Sequence, residues 1–247
     1  MHRMQMPEVN GTSQGSRLRE IGRGLLRIIY PPLCPGCRAA LTSEAELMCT
    51  RCRSRLSRVD PADIMAELAR LPGPPGAIRS AFALWRIEPG GPGQRIHHLL
   101  KYGNRPKYGH LLGKEIARAW QESGAAPGPD DVIVPVPLHR TRLYERGYNQ
   151  SAMLSEGMAG ALGVAHRGDV LTRRRATRSQ TRLSRAQRWT NVSGAFLVRS
   201  PEEISGRHVM LVDDVLTTGA TLAAAARALR DQGAGSITAF ALGYAQR

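Results

Sequence analysis

Apolar positions along the chain fall into two patterns, short unbroken aliphatic runs and longer stretches spaced three and four apart. The second spacing gathers side chains on one side of a helix. A short run that is apolar at every position fits a strand buried on both faces. From Gln94 the two patterns alternate. Ile96 to Tyr102, Leu111 to Trp120 and Ser151 to Leu162 have helical spacing, and Val132 to Val136 is an apolar run cut by Pro135 and Pro137. Asp169 to Leu171 reads as a short strand and Val209 to Val212 as a bare aliphatic one. Ala220 to Leu229 is an Ala-rich helix closed by Gly233, and Ile237 to Leu242 is the last strand. Doubly apolar strands alternating with helices predict an α/β fold, a mainly parallel sheet flanked by helices.

The upstream part is organised differently. Residues 1–16 are polar and are expected to be disordered, whereas Leu18, Ile21, Leu25, Leu26, Ile28 and Ile29 predict a short helix over 17–30 that ends before Pro31-Pro32. A cysteine-bearing module comes next, over roughly 31–57. Ile64, Met65 and Leu68 start a helical pattern that closes in the connector LPGPPG, and Ala81 to Ile87 reads as a strand before the turn EPGGPG. The expected division is a tail over 1–16, a helix and small module over 17–76, and the alternating domain over 77–247.

Composition supplies a core of mostly aliphatic type, with 42% apolar and only 5% aromatic residues. No run approaches the ~18 uninterrupted apolar residues of a membrane span. The opening residues lack an apolar stretch of signal-peptide length, so membrane insertion is not expected and a cytoplasmic location is. Charge changes the picture more. Thirty-five Lys and Arg against 20 Asp and Glu leave a net charge of +15, which attracts polyanions such as nucleic acid or phosphorylated small molecules. Arginine-rich codon usage would give the same balance with solvated side chains, so placement decides.

All four cysteines lie close together, as Cys34-Pro-Gly-Cys37 and Cys49-Thr-Arg-Cys52. Two C-x2-C knuckles offer four thiolates to one tetrahedral ion, and four soft ligands close a zinc site with no position left for water. Such an ion is structural. Disulfides do not suit a chain without an export signal, and an iron–sulfur cluster is the remaining ion-dependent option.

Val209-Met-Leu-Val-Asp-Asp-Val-Leu-Thr-Thr-Gly-Ala-Thr221 carries the most chemistry. An aliphatic strand leads to Asp213 and Asp214, and small hydroxylic residues with Gly219 then open a helix. That turn directs backbone N–H groups and the positive helix end at one point, and Thr217, Thr218 and Thr221 add hydroxyls. A phosphate fits there. The two carboxylates would repel it, so they suit the vicinal hydroxyls of a sugar carrying that phosphate. A G-x4-G-K-[ST] loop is absent, since Gly109 to Lys114 has the wrong spacing, and so is G-x-G-x-x-G.

Val209 to Thr221 resembles the phosphoribosyl-pyrophosphate signature of the type I phosphoribosyltransferases. The resemblance implies that fold, with Asp213 and Asp214 on the ribose hydroxyls and, if the chain is an enzyme, stabilising an oxocarbenium-like transition state. Val215, Leu216, Thr217, Thr218, Gly219, Ala220 and Thr221 would cradle the 5′-phosphate. Together with the four cysteines, Leu100-Lys-Tyr-Gly103, Val134-Pro-Val-Pro-Leu-His139 and Arg146-Gly-Tyr-Asn-Gln150, it is similar more narrowly to the ComF family. That implies a zinc module before a phosphoribosyltransferase-like domain, phosphoribosyl pyrophosphate with Mg²⁺ as ligand, and a role in natural transformation through single-stranded DNA. Competence helicase or channel proteins are the implied partners. The alternative is an active transferase of a phosphoribosyl group to a base or amine, with no DNA role.

Arginines cluster in two places. Arg140, Arg142 and Arg146 come after VPVPLH, where the enzyme family has a loop that receives pyrophosphate, and Lys101 points to the same group. Between Arg173 and Arg188 seven of sixteen residues are Arg and none is acidic. Arg178, Arg182, Arg185 and Arg188 would line one face of a helix. Gln180, Leu183, Arg188 and Asn191 also fit the ComF pattern. A closing lid or a solvated face would use these arginines; seven exceed what one pyrophosphate needs, which favours a nucleic-acid surface.

Overall fold

The computed structural model describes residues 31–43, 46–71, 76–103, 105–175 and 185–246. The expected tail, the helix over 17–30, most of the connector, Arg178, Gln180, Arg182 and Leu183 lie outside the described residues. The strands are β1 (Ser80–Arg86), β2 (Val132–Pro135), β3 (Ala165–His166), β4 (Leu171–Arg173), β5 (Phe196–Val198), β6 (His208–Leu216) and β7 (Ser236–Tyr244). The helices are α1 (Thr50–Arg53), α2 (Pro61–Ala69), α3 (Pro92–Tyr102), α4 (Pro106–Glu122), α5 (Arg140–Arg146), α6 (Gln150–Leu162), α7 (Arg185–Val192) and α8 (Ala220–Asp231). Five strands form one sheet in the order β1-β7-β6-β2-β3, and every pair in it is parallel.

Alternation along β6 explains why helices cover both faces. Val209 and Leu211 belong to one core with α8 residues Leu222, Ala225 and Leu229. Met210 and Val212 point the other way, into a core with Ile96 and Leu100 of α3, Ile116 of α4, and Leu154 and Met158 of α6. The fold is thus the expected α/β one, with the sheet sandwiched between two largely aliphatic layers.

Three local expectations needed correction. The strand read as Val209 to Val212 runs on to Leu216 because β7 is equally long and continues the ladder, pairing Asp213 with Ala241 and Leu216 with Tyr244. Its other neighbour stops sooner: β2 ends at Pro135, and Val136 N–H makes the last bond, to the Val212 carbonyl at 2.8 Å. The acid pair therefore projects past β2 on a strand held from one side. The segment after VPVPLH is a short helix instead of a loop. His139 caps it by accepting from the Thr141 N–H, and Gly147 ends it in the left-handed conformation at φ +75°. The strand expected over Asp169 to Leu171 is shifted to Leu171–Arg173 and pairs with Phe196–Val198 in an antiparallel ribbon outside the main sheet.

Helices α4 and α6 cross at glycines. A Cβ on Gly113 would lie 2.0 Å from the Leu154 carbonyl oxygen, and one on Gly157 would lie 2.1 Å from that of His110. Backbone against backbone cannot yield as a flexible side chain can. Gly113→Ala and Gly157→Ala should each cost about 2–3 kcal/mol or more. By contrast a Cβ on Gly160 of α6 meets nothing within 4 Å among the described residues, and Gly160→Ala should be stabilising by about 0.5–1 kcal/mol. Urea melts of the three variants check this ordering, which fails if Gly113→Ala is neutral.

Candidate phosphoribosyl site and zinc module

The two knuckles converge. Cys34 N–H donates to the Ala39 carbonyl at 2.8 Å and Arg38 N–H to that of Cys34 at 2.8 Å, closing the first turn with Arg38 at φ +65°. Cys49 caps α1, which carries Cys52. All four sulfurs lie within 4.8 Å of one another, with Cys37 and Cys49 Sγ 3.5 Å apart, and none is in a disulfide. With Zn–S bonds of about 2.3 Å, the edge of a tetrahedral site is about 3.8 Å, so the donor set fits zinc. Burial works against a charged Cys34, but N–H groups of Cys49, Cys37 and Gly36 outweigh it and hold the thiol at about 6. Burial and the neighbouring sulfurs push Cys52 up. An ion that binds four thiolates removes that mutual penalty.

The module is built against α3. Gly36 sits so close to Cys52 that a Cβ would reach its sulfur at 2.6 Å, with Pro92 at 3.2 Å. Arg95 donates to the Gly36 carbonyl at 2.5 Å, and Tyr108, at the start of α4, donates its hydroxyl to the Leu47 carbonyl at 2.8 Å. Further along α3, His97 Nε2 and Lys101 Nζ each lie 3.2 Å from Asp214 Oδ2. Their spacing of four puts both on one helical face.

Asp213 has a different setting. Its Oδ1 accepts from Ser151 Oγ at 3.0 Å and from the Asp214 N–H at 2.8 Å. Ser151 stands in the first turn of α6, which Asn149 caps by accepting from the Ser151 N–H. Burial, then the charge of Asp214, pushes Asp213 up to about 7. Asp214 is also buried, but Lys101 and His97 overcome that and hold it well below the usual carboxylate range. Two adjacent acids thus hold opposite protonation tendencies.

Beyond the acids, Asp213, Val215, Thr217, Gly219, Ala220, Thr221 and Leu222 line one cleft. Gly219 takes φ +75° immediately before α8, and the chain turns there so that the helix start opens on the cleft. Leu68 of α2 roofs this turn: a Cβ on Gly219 would lie 2.2 Å from its Cδ2. The buried Thr218 Oγ1 has no hydrogen-bond partner among the described residues. An orphaned hydroxyl next to a helix start fits a phosphate whose oxygens would accept from the hydroxyl and the first amides.

Of the basic residues read from sequence, Lys101 is on Asp214. Arg140 is exposed, and Arg146 is partly buried and donates to Gln150 Oε1 at 2.9 Å. Arg142 pairs with Glu145 at 2.8 Å. Arg185 and Arg188 fall on α7, while Arg178 and Arg182 are outside the described residues. Sequence reasoning missed His97 and Ser151. The His97–Lys101 spacing was a signal for the first; nothing local announced Ser151. It also gave no weight to Arg173, whose guanidinium lies 5.4 Å from the centre of the Phe196 ring. Burial lowers its pKa, with Asp213 opposing and Arg142 adding to the effect, so the ribbon holds this cation in the field of the site.

Family models match a double zinc ribbon domain over residues 25–62 and a phosphoribosyl transferase domain over 149–245. DNA utilization protein YhgH of Escherichia coli (strain K12) is 31% identical over 230 residues, which is 87% of this chain and 98% of that protein. The chain belongs to the ComF family. Its relatives include YhgH of Salmonella typhi, 38% identical over 149 residues, where the match spans 59% of this chain and 64% of the relative. Competence protein F of Haemophilus influenzae is 38% identical over 116 residues, 47% of this chain and 51% of that one. Among solved structures, the glutamine phosphoribosylpyrophosphate amidotransferase of B. subtilis complexed with ADP and GMP superposes with a TM-score of 0.40 at 24% identity. That overlap covers 59% of this chain and 30% of the other. The ComF chain thus combines a type I phosphoribosyltransferase fold with a four-cysteine structural zinc ribbon, and no helix among its described residues is long and apolar enough to cross a membrane.

The acid pair makes two isosteric changes diverge. Folding raises the pKa of Asp213 from 3.8 to about 7, so the folded state binds more protons and stability falls as pH rises through that window. Asp213→Asn should therefore match the parent at pH 4 and exceed its Tm at pH 8. Asp214 is depressed, so it contributes stability above its unfolded pKa that is lost on acidification. Asp214→Asn should lower Tm at pH 8, leaving Lys101 and His97 without their acid. Thermal melts across pH test both signs; equal shifts for the two variants would contradict the assignment. For the ribbon, Cys52→Ser should abolish stoichiometric zinc by elemental analysis and lower Tm, whereas full zinc retention would argue against four-thiolate ligation.

Proposed function

We propose that this protein binds phosphoribosyl pyrophosphate with Mg²⁺ and acts in DNA uptake by handling single-stranded DNA, in the cytoplasm. The observation that carries the ligand is the junction of β6 with α8, where twin carboxylates stand next to a glycine turn, a helix start and the orphaned Thr218 hydroxyl. Asp213 and Asp214 accept from the ribose hydroxyls. Backbone amides and hydroxyls from Val215 to Thr221 hold the 5′-phosphate, since a helix start stabilises a dianion.

Lys101 is placed to serve twice. Paired with Asp214 it keeps that carboxylate ionised, and its flexible stem lets the ammonium turn to the pyrophosphate as the sugar takes its place. Arg140 and Arg146 reach the same group from α5. A divalent ion bound with the ligand would neutralise charge on the pyrophosphate beside Lys101, Arg140 and Arg146. The transferase-fold part, residues 77–247, holds this ligand, and the zinc-bearing part, residues 17–76, forms its hood through Leu68.

Support for DNA comes from relatives named for DNA utilization and competence and from the net charge of +15. Cationic surfaces bind nucleic-acid phosphates by releasing counterions. The arginine-rich stretch containing Arg178, Arg182, Arg185 and Arg188 contributes seven of the 35 basic residues.

Calorimetry of the full chain with phosphoribosyl pyrophosphate and Mg²⁺ should show saturable binding that the doubly substituted Asp213→Asn, Asp214→Asn chain loses. Binding of single-stranded DNA should persist in that variant, with log K falling as log salt rises. No heat with a folded parent removes the sugar-phosphate reading, and a salt slope near zero removes the DNA reading.

A further inference from the structure

Among the described residues four large hydrophobic side chains stand out into solvent, and three of them, Tyr102, Leu143 and Tyr144, belong to α3 and α5. Tyr144 is 92% exposed and Tyr102 is 66% exposed. The fold treats other tyrosines differently. Tyr244 is buried, Tyr108 is bonded to the Leu47 carbonyl, and Tyr148 is bonded to the Leu100 carbonyl. Packing therefore accounts for those three and leaves Tyr102 and Tyr144 unexplained.

The two exposed rings belong to one neighbourhood. The Tyr148–Leu100 bond ties the segment just after α5 to the last turn of α3, two residues before Tyr102. The Tyr102 ring is braced by exposed His98, with centroids 4.7 Å apart. Basic residues surround the pair: Lys101 and Arg105 flank Tyr102, while Arg140, Arg142 and Arg146 share α5 with Tyr144. Glu145, the acid of α5, is paired with Arg142.

Both elements also lead to the acid pair. Lys101 contacts Asp214, and Arg146 contacts Gln150, the residue before Ser151, which donates to Asp213. The tyrosines thus stand on two helices that are each linked to the acid pair.

We propose that Tyr102 and Tyr144 are stacking platforms for the bases of single-stranded nucleic acid, whose phosphates are held by Arg105 and the basic residues of α5. This rests on the DNA-handling reading above and adds a second contact surface to the arginine-rich stretch. Exposed aromatic faces among cations bind unpaired bases with little sequence preference, because every base has a π face and a duplex hides it.

Fluorescence anisotropy of a fluorescein-labelled oligothymidylate with the full chain tests this. Changing Tyr102→Ala and Tyr144→Ala together should weaken binding by about 30-fold, within the range stacking contributes. The salt slope should stay unchanged, because no charge is lost. Tyr102→Phe with Tyr144→Phe should bind like the parent. Tyr144→Ala alone should weaken binding by about fivefold or more, and its high exposure keeps the fold out of the comparison. If the parent binds the strand and the alanine variants bind equally well, this surface is wrong while the DNA reading stands. Equal affinity for a duplex of the same length would also overturn stacking. A parent that binds no single strand at all removes both.

Discussion

A buried carboxylate needs a countercharge, and the site hangs on how Asp214 obtains one. Two cations from a single helical face meet at one of its oxygens. Among the described residues the adjacent Asp213 accepts instead from neutral donors, a serine hydroxyl and a main-chain amide. The chain thereby keeps one of two neighbouring acids ionised while the other gives up much of its charge near neutrality. A pair with both charges fixed would repel itself, and a pair with neither would offer no anionic acceptor.

That arrangement links the zinc ribbon to the acid pair through α3. The knuckle fixes the start of the helix through the Gly36 carbonyl and Arg95, and the same helix carries His97 and Lys101 to Asp214. The zinc ion enters here as a structural group and not as a reacting one. Its part is to make a small, cysteine-stapled segment stiff enough to set the position of a helix, which a core of so few apolar residues could not do alone.

Much of the fold was legible because parallel strands buried on both faces leave unbroken aliphatic runs, as in Val209 to Val212 and Ile237 to Leu242. The four cysteines and the loop from Asp213 to Thr221 were equally plain, since their chemistry is contiguous. The features that escaped all depend on a distant partner or on a local signal that points the wrong way. The extension of β6 through two acids requires the matching length of β7. Phe196–Val198 is too short to show a period and forms only against Leu171–Arg173. His97 is separated from Asp214 by 117 residues, so its meaning appears only once α3 is laid on the sheet. The helix Arg140–Arg146 was hidden by the prolines before it, which signal irregular chain even though His139 caps a regular helical turn.

The roof over the turn at residue 219 restricts how this loop can drift. Alanine there meets two independent objections, a backbone twist that side chains resist and a collision with Leu68. Trimming Leu68 would answer the second and leave the first, so no single compensating change reopens that position. Sequence change can therefore reshape the hood around the loop, whereas the loop itself stays confined to glycine at its pivot.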